Sequence, residues 1–188
     1  MRVIIAGFLG AIVLFIWGFI SWAVLPWNAQ TMHTIPNEDS VLNMLKAQHL
    51  ETGLYRIPNE MRKDEASRNA AYEKMKAGPI AIINYSNDGM DSGTYMLKGF
   101  IVLLLSAIMG ALLLSKLSWA LASKFSARVQ YVMMLGVFIA VAGRFSDWAW
   151  FGTSTSFTIA VAIQDIIGWT LAGMVIAWRM KPTMTKKA

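Results

Sequence analysis

The chain has 188 residues, of which 56% are hydrophobic and 15% are charged, and it contains no cysteine. Soluble domains carry about 25% charged residues, and the apolar residues here form long uninterrupted blocks, so the composition favours an integral membrane protein over a soluble one. The lack of cysteine excludes a disulfide framework, a thiolate metal site and a cysteine nucleophile. The net charge of +6 has to be explained by where the charges lie.

The first apolar block, Val3 to Leu25, has 23 residues and no charge, and Pro26 follows it. As a helix it is about 34 Å long, enough to cross the roughly 30 Å hydrocarbon core of a bilayer, so we predict a transmembrane helix over residues 1–25. A cleaved signal peptide is the alternative. Its apolar region normally has only about 7–15 residues, and we therefore expect a retained anchor.

Residues 26–94 form a polar insert with the signals of an α+β domain. Cap-forming residues after Pro36 predict a first helix, and a second one runs from near Asp64 to Gly78. The segments 53–58 and 80–85 are predicted strands that pair across this second helix. A domain of this size is small for independent stability, so we expect it to rest on the membrane helices or on a partner.

Three further apolar blocks predict transmembrane helices over residues 95–117, 129–150 and 156–178, followed by a basic tail over residues 179–188. The predicted fold class is a membrane all-α protein, a four-transmembrane-helix bundle with a small α+β insert between helices 1 and 2. Small residues that allow close helix contact recur in the apolar blocks: Gly7 and Gly10 lie in the first, and Ser106 and Gly110 lie in the second.

Basic residues in the short connections predict the orientation of the helices. Eight Lys and Arg residues lie on one side, whereas the connection at 151–155 has none; the eight are Arg2, Lys116, Lys124, Arg128, Arg179, Lys181, Lys186 and Lys187. The positive-inside rule places this side in the cytoplasm, so both chain ends are predicted to be cytoplasmic. Anionic lipids at the cytoplasmic rim are sufficient partners for this charge, and nucleic acid is not predicted as a partner.

Two charged residues fall inside the predicted helices at matching depth. Arg144 lies 16 residues after Arg128, about 24 Å along a helix, and Asp165 lies 14 residues before Arg179, about 21 Å. An unpaired charge in hydrocarbon costs at least about 2.5 kcal/mol. We therefore predict that Arg144 and Asp165 form an intramembrane pair.

The polar cluster has two interpretations. It comprises the predicted pair together with Gln164 and with Asp147, which lies one turn beyond Arg144 near the outer interface. Either it is an interhelical latch, or it lines an outward-facing polar pocket or an ion path. Small residues accompany both charges and predict that the third and fourth helices meet at these faces: Gly136 and Ala140 on one, and Ala162, Gly168 and Ala172 on the other.

Catalytic and metal chemistry have little support in the sequence. Met32, His33 and His49 offer soft and imidazole ligands that suit Cu(I), but their spacing matches no compact site, and no metal or cofactor is predicted. The chain has no GxSxG, P-loop or HExxH motif. An enzyme is therefore the third hypothesis.

The sequence "FIWGFISWAVLPWNAQTM", with "PNEDSVLNML" and "GLYRIP" after it, resembles the opening of a group of small bacterial inner-membrane proteins. The resemblance covers mainly residues 15–60. It implies an inner-membrane location, the four-span layout and a periplasmic insert, and it brings no activity and no residue roles.

Two functional hypotheses follow. The first is a non-enzymatic accessory or scaffold subunit of a larger membrane complex, suggested by the small helix faces and an insert too small to stand alone. The alternative is a small transporter or ligand-binding membrane protein with an outward-facing pocket at Arg144, Asp147, Gln164 and Asp165.

Overall fold

The structure, a computed structural model, describes residues 1–61 and 63–181. The chain divides into two compact units. The helical unit comprises Met1–His33 and the chain from Ser92 onward, and the insert unit comprises Thr34–Asp91.

The two units contain nine α-helices, two π-helical turns and two strands within the described residues. In chain order these are α1 (Arg2–Phe19), a π turn (Ile20–Val24), α2 (Trp27–Thr31), α3 (Glu38–Ala47), β1 (Gly53–Ile57), α4 (Glu65–Ala77), β2 (Ala81–Tyr85), α5 (Ser92–Ser115), α6 (Trp119–Ala122), α7 (Phe125–Ile139), a second π turn (Ala140–Arg144), α8 (Phe145–Phe151) and α9 (Thr155–Arg179).

Four helical stretches are long and apolar enough to cross a membrane, judged by length and composition. We call them spans 1 to 4: Arg2–Val24, Ser92–Ser115, Phe125–Phe151 and Thr155–Arg179. They support the predicted helix bundle and indicate a multi-pass membrane protein. Spans 2 and 3 begin three and four residues before their predicted starts, because a helix continues through polar residues that an apolar pattern does not include. The predicted tail residues 182–188, with Lys186 and Lys187, lie outside the described residues.

Span 4 holds the helical unit together. It packs along both span 1 and span 3, and span 1 also packs along span 2. Spans 2 and 3 touch each other only slightly. The helical unit therefore has three well-packed helix pairs and one loose seam, between spans 2 and 3.

Glycine and alanine form the tightest helix contacts. A Cβ atom added to Gly7 would lie 2.6 Å from the Cα of Ile108, and one added to Gly10 would lie 2.7 Å from the Cδ1 of Ile176. Both distances are far shorter than van der Waals contact. At Gly7 the obstacle is the main chain of span 2, so only glycine fits there, and at Gly10 a larger residue would have to displace the buried Ile176 side chain. The predicted packing role of both glycines is confirmed. Because lipid gives helices no hydrophobic reason to associate, this close backbone approach is what stabilises their contact.

Span 4 presents different glycines to its two neighbours. A Cβ on Gly168 would lie 2.8 Å from the Cδ1 of Trp17 in span 1, whereas a Cβ on Gly173 would lie 3.1 Å from the Cβ of Val132 in span 3. The prediction that Gly168 faces span 3 was therefore wrong. Residues 165 and 168 point in directions about 60° apart around a helix of 3.6 residues per turn. This difference is enough for residue 168 to face a different neighbouring helix.

The insert unit contains a two-stranded antiparallel sheet in which Gly53 lies opposite Tyr85. Its helices have the caps that the sequence predicts: the Asp64 side chain accepts a hydrogen bond from the Ser67 amide at 2.7 Å, and Gly78 ends α4 with φ at +66°. Among the described residues of this unit, Ala71 alone is buried. The unit thus has defined secondary structure but almost no core.

Candidate functional site

Because consecutive spans run in opposite directions, the helical unit has two chemically different ends. The basic end carries Arg2, Lys116, Lys124, Arg128 and Arg179, and the tryptophan-rich end carries Trp17, Trp22, Trp148 and Trp150. A cleft of about 550 Å³ lies toward the tryptophan-rich end, and all four spans contribute to its walls. Its lining includes Trp17, Gly18, Trp22, Tyr95, Lys98, Gly99, Arg144, Gln164, Asp165, Gly168 and Trp169.

An ion pair between spans 3 and 4 forms part of the cleft wall. The Nε atom of Arg144 lies 2.9 Å from the Oδ2 atom of Asp165 and donates a hydrogen bond to it. The Arg144 side chain is 44% exposed and that of Asp165 is 15% exposed. The carboxylate is thus largely covered, whereas much of the guanidinium remains accessible from the cleft.

The structure brings together three of the four predicted site residues. Gln164 lines the cleft beside Asp165, and its backbone carbonyl accepts a hydrogen bond from the indole Nε1 of Trp17 at 2.9 Å. Asp147 does not line the cleft. Within the described residues it forms no ion pair with Arg144, and its carbonyl accepts a hydrogen bond from the Thr153 hydroxyl at 3.3 Å.

Two π-helical turns shape the tryptophan-rich end. One ends at Arg144 and the other, Ile20–Val24, carries Trp22. A π turn makes i→i+5 hydrogen bonds and is often found at functional sites. In span 1 this turn is braced by Trp27, whose Nε1 donates to the Ser21 hydroxyl at 3.0 Å. Each π turn contains one extra residue, which changes the direction of the side chains that follow it. The helix face on which Arg144 lies therefore cannot be found by counting every fourth residue from Gly136.

Lys98 is a cleft residue that was not predicted. It lies near the start of span 2, and its Nζ atom is 5.4 Å from the ring centroid of Tyr95, a cation–π distance. Both side chains line the cleft. The signal was present in the sequence, since a lone lysine inside an apolar block, far from the basic connections, is unusual.

Arg128 has a structural role that the sequence did not predict. It was counted with the basic rim, but its side chain is 3% exposed. Its Nε donates to the carbonyl of Ala177 at 3.0 Å, and its Nη1 donates to the carbonyls of Ala122 and Ser123. Carbonyls near helix ends lack internal partners, and these accept from a buried arginine. Arg128 thereby ties the start of span 3 to the end of span 4.

The copper hypothesis gains no support from the architecture. Met32 and His33 belong to the helical unit, whereas His49 belongs to the insert unit. Among the described residues, no group of three or more His, Cys, Asp or Glu side chains is placed to hold a metal ion.

Comparisons of the chain with family models, curated proteins and solved structures found no match. The feature of the protein that bears on its function is therefore the cleft. Its charged lining consists of two cations, Lys98 and Arg144, and one carboxylate, Asp165. Together with the surrounding tryptophans, these groups are suited to binding and orienting a molecule.

Proposed function

We propose that this chain is a bacterial inner-membrane protein that binds a small ligand in the cleft at the tryptophan-rich end. One observation carries the proposal: an ion pair between the partly exposed Arg144 and the largely covered Asp165 forms part of the wall of a cleft of about 550 Å³. Binding sites are typically concave, largely apolar and equipped with a few convergent polar groups. An interhelical latch needs no such cavity beside it.

The proposed orientation places the basic end in the cytoplasm and the insert unit in the periplasm. It is supported by the lysines and arginines of the basic end, which cytoplasmic loops favour. With this orientation the cleft lies in the periplasmic half of the membrane. A ligand would then enter from the periplasm or from the outer leaflet.

Single cysteines test this orientation, because the chain has none of its own. Met61 is 86% exposed, so Met61→Cys is expected to react with a membrane-impermeant maleimide added to intact spheroplasts. Lys116→Cys, at the basic end, serves as the control and is expected to react only after lysis. The opposite pattern would reverse the proposed orientation.

Removing both charges of the ion pair tests the binding function without presupposing a ligand. Wild type and the double variant Arg144→Gln/Asp165→Asn are purified in detergent with the bulk lipid removed, and the small molecules that remain bound are quantified per chain by mass spectrometry. We expect one molecule to accompany the wild type at near-stoichiometric ratio and to be depleted in the variant. Identical profiles in a folded variant would favour the latch.

An accessory role in a membrane complex is the second candidate, and the insert unit favours it. Large apolar side chains are more than half exposed there, including Leu54 at 64% and Ile80 at 54%. A unit with so little core is marginal by itself. Purification of the tagged chain in mild detergent would decide: a stoichiometric partner supports the accessory role, and a monodisperse chain without one argues against it.

A further inference from the structure

A second, apolar pocket adjoins the cleft. It has a volume of about 290 Å³ and lies between spans 1 and 2, with Phe15, Phe19 and Met96 among its lining. It shares four lining residues with the cleft, namely Gly18, Trp22, Gly99 and Leu103. The polar cleft and the apolar pocket are therefore neighbouring parts of one depression, one part charged and the other made of hydrocarbon and aromatic surface.

The two glycines shared by these pockets differ from the glycines that pack helices. Among the described residues, no atom lies within 4 Å of a Cβ added to Gly18 or to Gly99. In the same span 1, a Cβ on Gly7 would clash with Ile108 at 2.6 Å. Helix contact therefore requires a glycine at position 7. At positions 18 and 99 it does not, and there the absence of a side chain leaves open space.

The charges of the cleft leave one cation in excess. Asp165 offsets one of the two cations, Lys98 and Arg144, which leaves a formal charge of +1. Among the described contacts of Arg144, the ion pair uses Nε alone. The remaining donors of the guanidinium, with the Lys98 ammonium, suit a singly charged phosphodiester, because charge-assisted hydrogen bonds to phosphate are strong.

From this arrangement we propose that the ligand is an anionic membrane lipid. Its phosphodiester headgroup binds at Lys98 and Arg144, and part of an acyl chain occupies the apolar pocket between spans 1 and 2. A water-soluble anion would satisfy the charges but leave the apolar pocket without an occupant. A neutral or zwitterionic lipid would fill the pocket but leave the excess cation uncompensated. This inference rests on the proposed function, since it names the ligand of the same cleft.

Lipid titration of the purified full chain tests the proposal. Native mass spectrometry measures the binding of phosphatidylglycerol and of phosphatidylcholine with the same acyl chains. We expect the wild type to bind one phosphatidylglycerol about tenfold more tightly than phosphatidylcholine. Inorganic phosphate is added as a competitor, and it is expected not to displace the lipid, because it makes no contact in the apolar pocket.

Two variants assign the two parts of the site. Lys98→Gln removes the excess cation of the cleft and is expected to reduce the preference for phosphatidylglycerol to what the basic end alone contributes. Gly99→Leu fills the shared space and is expected to weaken the binding of both lipids by about tenfold. The matched controls are Lys116→Gln, an exposed lysine at the basic end, and Gly89→Leu, an open glycine of the insert unit outside both pockets. Both controls are expected to bind as the wild type does.

Several results would overturn the lipid proposal: equal affinity of the wild type for both lipids, displacement by inorganic phosphate, or variants indistinguishable from their controls. The proposed function fails separately. If the co-purification experiment finds a different molecule that depends on Arg144 and Asp165, the cleft is a binding site and only the lipid assignment is wrong. If it finds none and the lipids show no preference, both proposals are wrong.

Discussion

The two arginines of span 3 occupy opposite surroundings. Arg128, at the basic end, is 3% exposed, and backbone carbonyls accept its hydrogen bonds. Arg144, toward the tryptophan-rich end, is 44% exposed and pairs with one carboxylate at a cleft. Arg128 connects two helices because backbone carbonyls accept the hydrogen bonds of its guanidinium. Arg144 is available to a ligand because part of its guanidinium remains accessible.

The glycines of span 1 repeat this contrast between the two ends. Gly7 lies against the backbone of Ile108 toward the basic end, and Gly18 faces open space toward the other end. The basic end is thus closed by helix contact, and the tryptophan-rich end is left open. If this contrast is correct, equal substitutions at the two ends will have unequal effects on stability.

Gly7→Leu is expected to have the largest effect. The new side chain would collide with main-chain atoms of span 2, which cannot move aside cheaply, and we expect a loss of about 3 kcal/mol or more in the free energy of unfolding. Gly18→Leu, in the same span, is expected to change it by less than about 1 kcal/mol. Unfolding in micelles of rising dodecyl sulfate fraction measures both, and equal losses would remove the contrast.

Arg128→Met ranks second, with an expected loss of about 2–3 kcal/mol. The substitution preserves much of the apolar stem but leaves the carbonyls of Ala122, Ser123 and Ala177 without their charged donor. The same unfolding measurement applies. Arg128→Lys is the useful companion, because one ammonium cannot reproduce the fork of the guanidinium; full stability in Arg128→Met would show that the buried bonds contribute little.

The ion pair of the open end is expected to contribute less. A double-mutant cycle with Arg144→Ala and Asp165→Asn should give a coupling energy of about 1 kcal/mol, because the arginine is partly solvated and the pair uses a single hydrogen bond. Strict additivity would mean that the two side chains do not interact in the folded protein. A coupling as large as the loss in Arg128→Met would favour the latch over the binding site.

Trp17→Phe is expected to have the smallest resolved effect. It removes the indole hydrogen bond to the carbonyl of Gln164 and retains most of the ring, so we expect a loss of about 0.5 kcal/mol. Trp22→Phe is the control, since Trp22 lines both pockets and is 49% exposed. A larger loss in Trp22→Phe would show that its ring already packs as part of the core.

Much of the layout was predictable because it depends on local physics. Four apolar blocks of sufficient length marked the helices, and the cap residue Asp64 with the terminating Gly78 marked the second helix of the insert. The depth of Arg144 and Asp165 followed from the fixed rise of a helix, and the structure pairs these two residues. None of these inferences needed knowledge of which helix neighbours which.

Apart from Lys98, whose signal was present in the sequence, the features that were missed depend on how the helices assemble. Gly168 faces span 1 because span 4 lies between two partners, and sequence spacing does not say which partner a face meets. The burial of Arg128 depends on helix ends distant in sequence. The π turn before Phe145 changes side-chain direction without any propensity signal. The open space at Gly99 is a property of the assembled helices.

Thermal unfolding in nanodiscs tests the central claim, that the open end is a lipid site, most directly. Wild type and Lys98→Gln are compared in phosphatidylglycerol and in phosphatidylcholine. A ligand that binds only the folded state raises the unfolding temperature. We predict a higher value in phosphatidylglycerol for the wild type and a reduced difference for Lys98→Gln, with any contribution from lipids at the basic end common to both. An equal difference in both proteins would contradict a lipid site in the cleft.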